Sequence, residues 1–379
     1  MRRVAIEPRR NWQKEVEKWG LLFHTEESGV YWDESAYYEF TEEEVDAIET
    51  ATGELHRMCI EAAKFVIREN RWDDLKIPVK ARAAIVKSLE RLEPTLYGRF
   101  DLCFDGDGPP KMLEYNADTP TSLLEAAVIQ WKWLEARFPE EDQFNSLWEG
   151  LVDAWKAMLK RRQIRGTIVH FAHGDTLEDG MTITMLRDTA QEAGLTTEGL
   201  LMEEIGWNAG DRCFLDLEDR RMWTIFKLYP WEWLMADEFA DVLLQSIEET
   251  QWIEPIWKML LSNKAILAIL WELFPDSPYL LPAYLDGPRE MTSFVRKPIL
   301  SREGANVEIH AEGVTVDRDG PYGAEGYVYQ GLATIPSFDG KHPIVGSWVI
   351  AGDPRGIGIR ESASMITDNT SQFVPHKFR

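Results

Sequence analysis

The 379-residue chain is 44% hydrophobic and 11% aromatic, enough for a substantial core in one large or two ordinary domains, which excludes a disordered or fibrous protein. Its 65 acidic against 41 basic residues leave a formal charge of −24, which repels phosphate backbones and anionic bilayers and argues against nucleic-acid and membrane partners. Cys59, Cys103 and Cys213 are widely spaced with no C-x-x-C pair, which argues against a disulfide scaffold or a zinc site.

The first residues, M-R-R-V-A-I-E-P-R-R-N-W, lack the apolar stretch of a secretory signal, and no segment reaches membrane-spanning length. A reducing cytoplasm is the expected setting. From Thr41 to Glu93 the pattern is helical, opened by a capping box at Thr41 and Glu44. Residues 98–116 then read G-R-F-D-L-C-F-D-G-D-G-P-P-K-M-L-E-Y-N, two alternating segments around an Asp/Gly/Pro turn. A turn from Asp105 to Pro110 pairs Phe104 with Lys111, Asp101 with Glu114 and Arg99 with Asn116, so all four polar side chains share one face. The face is either the solvated side of a hairpin or an oxygen cage for magnesium with an arginine beside it for phosphate. The hydroxyl-rich run A-D-T-P-T-S after Asn116 favours the second reading, because it predicts a capped helix start near Ser122, where anions bind. A second helical stretch runs to Lys160, interrupted near Phe138-Pro139.

After Arg165 the texture is α/β. G-T-I-V-H-F-A-H reads as a buried strand, T-L-E-D-G-M through Gly194 as loop and helix, and W-T-I-F-K-L-Y as a strand with a helix after Pro230. S-N-K-A-I-L-A-I-L-W-E-L-F predicts a helix with Lys264 in its first turn, where a cation is disfavoured unless it reaches an anion. F-V-R-K-P-I-L-S-R-E-G-A-N-V-E-I reads as strand, loop, strand. Lys297 ends the first strand as either an exposed lysine or a phosphate ligand, and Ser301 to Asn306 form a glycine-containing loop able to cradle phosphate or act as a lid. G-Y-V-Y-Q-G-L-A-T is a further strand. P-I-V-G-S-W-V-I and G-I-G-I-R-E close the chain as two strands, leaving Arg360 either in a structural ion pair, with Glu361 or a helix carboxylate, or gripping a transferred phosphoryl group. The sixteen tryptophans are scattered, which suits core packing better than a carbohydrate cleft.

The ordered set G-R-F-D, L-E-Y-N-A-D-T-P-T-S, S-N-K-A-I-L, R-K-P-I-L-S-R-E-G-A-N-V and G-I-G-I-R-E resembles the synthetase domain of glutathionylspermidine synthetase and its stand-alone relatives over nearly the whole chain. The resemblance implies an α/β ATP-grasp fold in a permuted order, the metal hairpin preceding the phosphate-binding lysines. It implies one catalytic unit spanning 1–379, in approximate lobes: a helical segment with the metal hairpin (1–165), an α/β substrate lobe (166–260), an ATP-clamping lobe (261–345) and closing strands (346–379). The family's bifunctional members carry an N-terminal amidase domain; this chain starts in the synthetase part, so amidase activity is not expected.

Asp101, Glu114 and Asn116 match the family's magnesium ligands, and Lys264 and Lys297 its lysines on the ATP phosphates. Arg99 and Arg360 match the arginines that stabilise the transferred phosphoryl group, and Tyr329 and Gln330 the hinge segment facing adenine. Thr119 and Thr121 fall where the family has serines against its acid substrate, and Glu178 and Asp179 where it has acidic residues near the substrates. The implied reaction is ATP- and Mg²⁺-dependent amide formation from a peptide or glutathione-like acid and a polyamine or other amine, through an acylphosphate. A kinase or ATPase of the same fold, and a non-catalytic binding protein, are the rival readings.

Overall fold

The computed structural model describes residues 1–26, 29–302, 304–311, 314–364 and 371–379. Its centre is a five-stranded antiparallel sheet in the order Gln372–Val374, Asp353–Ser362, His342–Ile350, Tyr97–Cys103, Lys111–Asn116. The middle strands are buried along their length because both faces are covered. Phe100, Leu102, Met112, Tyr115, Ile357 and Ile359 join the core under helix Glu42–Arg68, whose capping box has Thr41 Oγ1 accepting from Glu44 N–H and Glu44 accepting from Thr41 N–H. Tyr97, Trp348 and Ile350 belong to the opposite core, with Leu123, Ala126, Trp133 and helix Leu147–Lys160.

A four-stranded parallel sheet carries the α/β part, ordered Gln251–Ile253, Thr224–Leu228, Ile168–His173, Thr196–Leu201. Helix Leu177–Glu192 is the crossover between its last two strands and is capped by Thr176, whose Oγ1 accepts from Asp179 N–H at 3.1 Å. A second five-stranded antiparallel sheet is ordered Ala283–Tyr284, Tyr327–Gly331, Phe294–Pro298, Glu308–Ala311, Val314–Asp317. The three sheets present the polar face of the hairpin, the carboxyl ends of parallel strands and a lysine-bearing strand to one shared space. No helix among the described residues is long and apolar enough to cross a membrane.

Several expectations change in detail. Arg99 faces Asn116 and Asp101 faces Glu114 as the alternation requires, but a bulge follows Asp101 and Cys103, not Phe104, pairs with Lys111. One surplus residue near the turn is absorbed there without turning the four polar side chains off their face. The helix expected at Ser122 starts without a side-chain cap: Ser122 has φ 66°, and a π-helical turn, Glu125–Ile129, runs into helix Gln130–Arg137. Helix Ile266–Leu273 begins after Lys264, in a turn where Asn263 Oδ1 accepts from Ala265 N–H at 2.9 Å, so Lys264 lies before the first turn and not inside it. Position 303 of the expected lid lies outside the described residues.

Candidate active site

Asp101 is the point where distant parts of the chain meet. Its Oδ1 accepts from Arg99 Nε at 2.7 Å, and its Oδ2 accepts from Arg360 Nη2 at 2.7 Å and from Asn116 Nδ2 at 3.3 Å. Arg360 therefore reaches the hairpin and not Glu361, which is taken by Arg3 and Tyr38. Arg99 is fixed on three sides, by Asp101, by the Thr121 carbonyl at 2.6 Å and by the Trp348 ring 5.5 Å below its guanidinium. Burial opposes its charge, but Asp101 outweighs that and holds the guanidinium protonated. Gly346 makes room for it, because a Cβ there would stand 2.9 Å from Arg99 Cδ.

Glu114, on the partner strand, accepts from Asn116 Nδ2 at 3.1 Å and is ion-paired to Lys264 Nζ at 3.2 Å. Burial works against its ionised form, yet Lys264 and Lys297 keep its carboxyl well below the usual range. Lys297 donates to the Leu113 carbonyl at 2.9 Å and to Gln330 Oε1 at 2.7 Å, and Gln330 in turn donates to the Met112 carbonyl at 2.9 Å. Burial pushes the Lys297 ammonium down to about 8, with Glu114 pulling the other way. Lys264, Lys297, Gln330, Asp101 and Glu114 line a narrow cleft of about 100 Å³, space for roughly three waters. Tyr329 alternates to the other face of its strand and tilts against Phe294 at 5.9 Å, so the structure brings Gln330 but not Tyr329 to this cleft.

At Glu114, Ser301 and Gly304 the cleft meets a larger cavity of about 760 Å³. Its walls carry Arg99, Arg360, Thr119, Thr121, Glu178 and Asp179, all expected from the sequence. Ile168–His173 and Thr224–Leu228 run into it at Gly174 and Tyr229, so it lies beyond the carboxyl ends of parallel strands. Burial raises the carboxyls of both Glu178 and Asp179, opposed at Glu178 by a hydrogen bond with Thr121 and by Arg360 and Arg99. The loop carrying the two threonines is pinned by Asp118, whose Oδ1 pairs with buried Lys227 at 2.6 Å while Oδ2 accepts from Trp231 N–H at 2.9 Å.

Two cavity residues, Arg302 and Tyr31, and the buried Glu125 behind the wall are not evident from the sequence alone. Arg302 donates to Thr119 Oγ1 at 3.0 Å and to Glu232 at 2.5 Å; it lies inside R-K-P-I-L-S-R-E, where nothing distinguishes it from a loop arginine. Tyr31 and Glu125 are 94 positions apart, with the phenol donating to Glu125 Oε1 at 2.6 Å. The S-x-x-E spacing of Ser122 and Glu125 is a signal, but it looks like an ordinary capping box.

Among the described residues no three His, Cys, Asp or Glu side chains gather as a metal cluster. Two carboxylates and an amide are nonetheless what magnesium takes from a protein when phosphates and water supply its remaining oxygens. The carboxylates are now saturated by Arg99, Arg360 and Lys264. A triphosphate arriving with its metal would give those cations new anions and free the oxygens, so the donor set fits a metal–nucleotide and not a bare ion.

A family profile described as glutathionylspermidine synthase preATP-grasp matches residues 3–379. The chain belongs to that family. A putative acid–amine ligase of Haemophilus influenzae is 43% identical over 92% of this glutathionylspermidine synthase-family chain and 91% of its own length. The bifunctional glutathionylspermidine synthetase/amidase of Escherichia coli and trypanothione synthetase of Crithidia fasciculata are each 30% identical over 89% and 85% of the chain. The chain spans only 58% and 53% of those two proteins. A glutathione synthetase-like effector from Globodera pallida shares the fold, with a TM-score of 0.59 at 10% identity, covering 97% of this chain and 96% of its own.

Proposed function

We propose that the protein is an ADP-forming acid–amine ligase with a permuted ATP-grasp architecture, acting as one catalytic unit in the lobes expected from its sequence. The observation that carries this is the convergence of Arg99, Arg360, Lys264 and Lys297, from four separate segments, on the Asp101–Glu114 face where a narrow cleft opens into the 760 Å³ cavity. Against a net charge of −24, such a gathering of cations needs an anionic ligand to justify it.

In this reading Lys264 and Lys297 hold the nucleotide phosphates, with Gln330 positioning Lys297. Arg99 and Arg360 face the cavity and steady the phosphoryl group as a substrate carboxylate attacks it in line. Asp101, Glu114 and Asn116 would hold the magnesium, which when bound supplies charge neutralisation at the phosphate oxygens. Thr119 and Thr121 hold the acid. The acylphosphate then meets an amine drawn to Glu178 and Asp179, and the narrow cleft keeps water from it. No enzyme nucleophile is required, and the buried cysteines offer none: burial raises the Cys59 thiol and pushes Cys103 up to about 11.

A glutathione-like or peptide acid and a polyamine or related amine fit the named relatives and the acidic cavity wall. A cytoplasmic setting, where thiols stay reduced, suits the unpaired cysteines. The test is ADP release over a matrix of carboxylates, including glutathione and short peptides, against polyamines and amino acids. ADP formation that requires both an acid and an amine supports the ligase. ADP formation that ignores the amine points to a kinase or ATPase.

A further inference from the structure

Tyr31 places its ring in the wall of the 760 Å³ cavity beside Ser122, Glu178 and Arg99. Behind it lies Glu125, 1% exposed, which takes the phenolic hydrogen bond at 2.6 Å, while Ser122 Oγ stands 3.1 Å from the phenol oxygen. Glu125 opens the π-helical turn Glu125–Ile129, a distortion that costs regular hydrogen bonding and is most often kept at functional sites. Among the described residues no lysine, arginine or histidine is ion-paired with Glu125. A buried carboxyl held by neutral donors, the Tyr31 phenol and its own backbone N–H, with no cation paired to it, is expensive for the fold and asks for a use.

The ligase reading supplies one, and the relay rests on that reading. An aliphatic amine arrives as an ammonium ion and cannot attack until a proton leaves; Arg99, Arg360, Lys264 and Arg302 are cations that cannot take it. We propose that Tyr31 is the catalytic group that accepts the proton of the incoming amine and that Glu125 is the positioning residue that drains it. The N–H bond breaks toward the Tyr31 oxygen as the Tyr31 O–H proton passes to Glu125 Oε1. The electron pair stays on nitrogen, which forms the C–N bond as the C–O bond to phosphate breaks, and the second proton that the new amide nitrogen must lose leaves on the departing phosphate. Burial and the charge of Glu178 push the Glu125 carboxyl up to about 7, opposed by the Tyr31 hydrogen bond, by a backbone N–H at Glu125 and by Arg99. Such a group exchanges protons at neutral pH.

Infrared difference spectra of the full chain, wild type against Glu125→Gln with no substrate added, read the Glu125 proton directly. The expected result is an acid carbonyl band lost as pH rises through about 7, with the midpoint moved upward by Tyr31→Phe, because the phenol's hydrogen bond favours the carboxylate. A Glu125 still ionised at about pH 5, or a midpoint indifferent to Tyr31→Phe, overturns the relay. The kinetic arm uses the acid and amine that release ADP in the wild type, with hydroxylamine, already unprotonated at neutral pH, as the competing acceptor. Glu125→Gln should lower the ratio of amide to hydroxamate about a hundredfold, with the loss shrinking at alkaline pH. Equal losses of both products mark a structural role and overturn the proposal. A wild type that makes no ATP-dependent product contradicts the ligase reading instead, and the infrared arm still decides the Tyr31–Glu125 pair.

Discussion

Asp101 and Arg360 are bonded to each other, yet their removal has different consequences. Asp101 is the counter-ion of Arg99, which is 5% exposed, so Asp101→Asn leaves a buried guanidinium with half its partners and costs about 3 kcal/mol of stability as well as activity. Arg360 has a partly exposed side chain, and Arg360→Ala keeps the denaturation midpoint while turnover falls about a thousandfold. Urea titration beside ADP release separates the two; matching stability losses would show that Arg360 is structural. Lys297 sets a pH limit. Its ammonium titrates at about 8 in the free protein, below the ordinary lysine range, so the charged fraction declines above that pH and ATP affinity declines with it. Calorimetry on either side of that value should show weaker binding on the alkaline side, and Lys297→Met should be weak at both.

Among the elements, Gly346 in the central sheet leaves the space that Arg99 fills, while Gly358 opposite it makes room for the Phe373 ring. Gly346→Ala should therefore push Arg99 off Asp101 and lower turnover at least tenfold with little loss of helix or sheet signal. Unchanged turnover would mean Arg99 need not sit where it does. The hairpin is legible in the sequence because strand alternation puts Arg99 with Asp101 and Glu114 with Asn116, and the Asp/Gly/Pro turn sets a register that brings both pairs to one face. The bulge after Asp101 is not: Cys103 opposite Lys111 would by itself set Asp101 against Leu113, and the surplus Leu113 restores the pairing of Asp101 with Glu114. The position of Lys264 is misleading because apolar periodicity continues into the turn before the helix, and the true start depends on Asn263. Tyr31 and Glu125 cannot be paired from the sequence: the π-helical turn that orients Glu125 is a tertiary outcome and has no sequence period.

Across the molecule, the buried Asp118–Lys227 pair ties the parallel sheet to the loop carrying Thr119 and Thr121. Lys227→Met strands a buried carboxylate and should cost about 3–5 kcal/mol, much of it recovered when Asp118→Asn is added. A double variant no better than the single one would show that the Trp231 N–H contact, and not the charge pair, carries the linkage. The site belongs to no single sheet. It needs the central hairpin, the lysine strand and the parallel-strand ends together, which explains why the residues that hold it are strung from Arg99 to Arg360. The most direct test of the account is isotope transfer. An acid substrate labelled with ¹⁸O in its carboxylate is turned over with ATP and amine, and the inorganic phosphate is weighed by mass spectrometry. The account predicts one labelled oxygen in the phosphate for each amide formed; phosphate without label, with amide present, would contradict it.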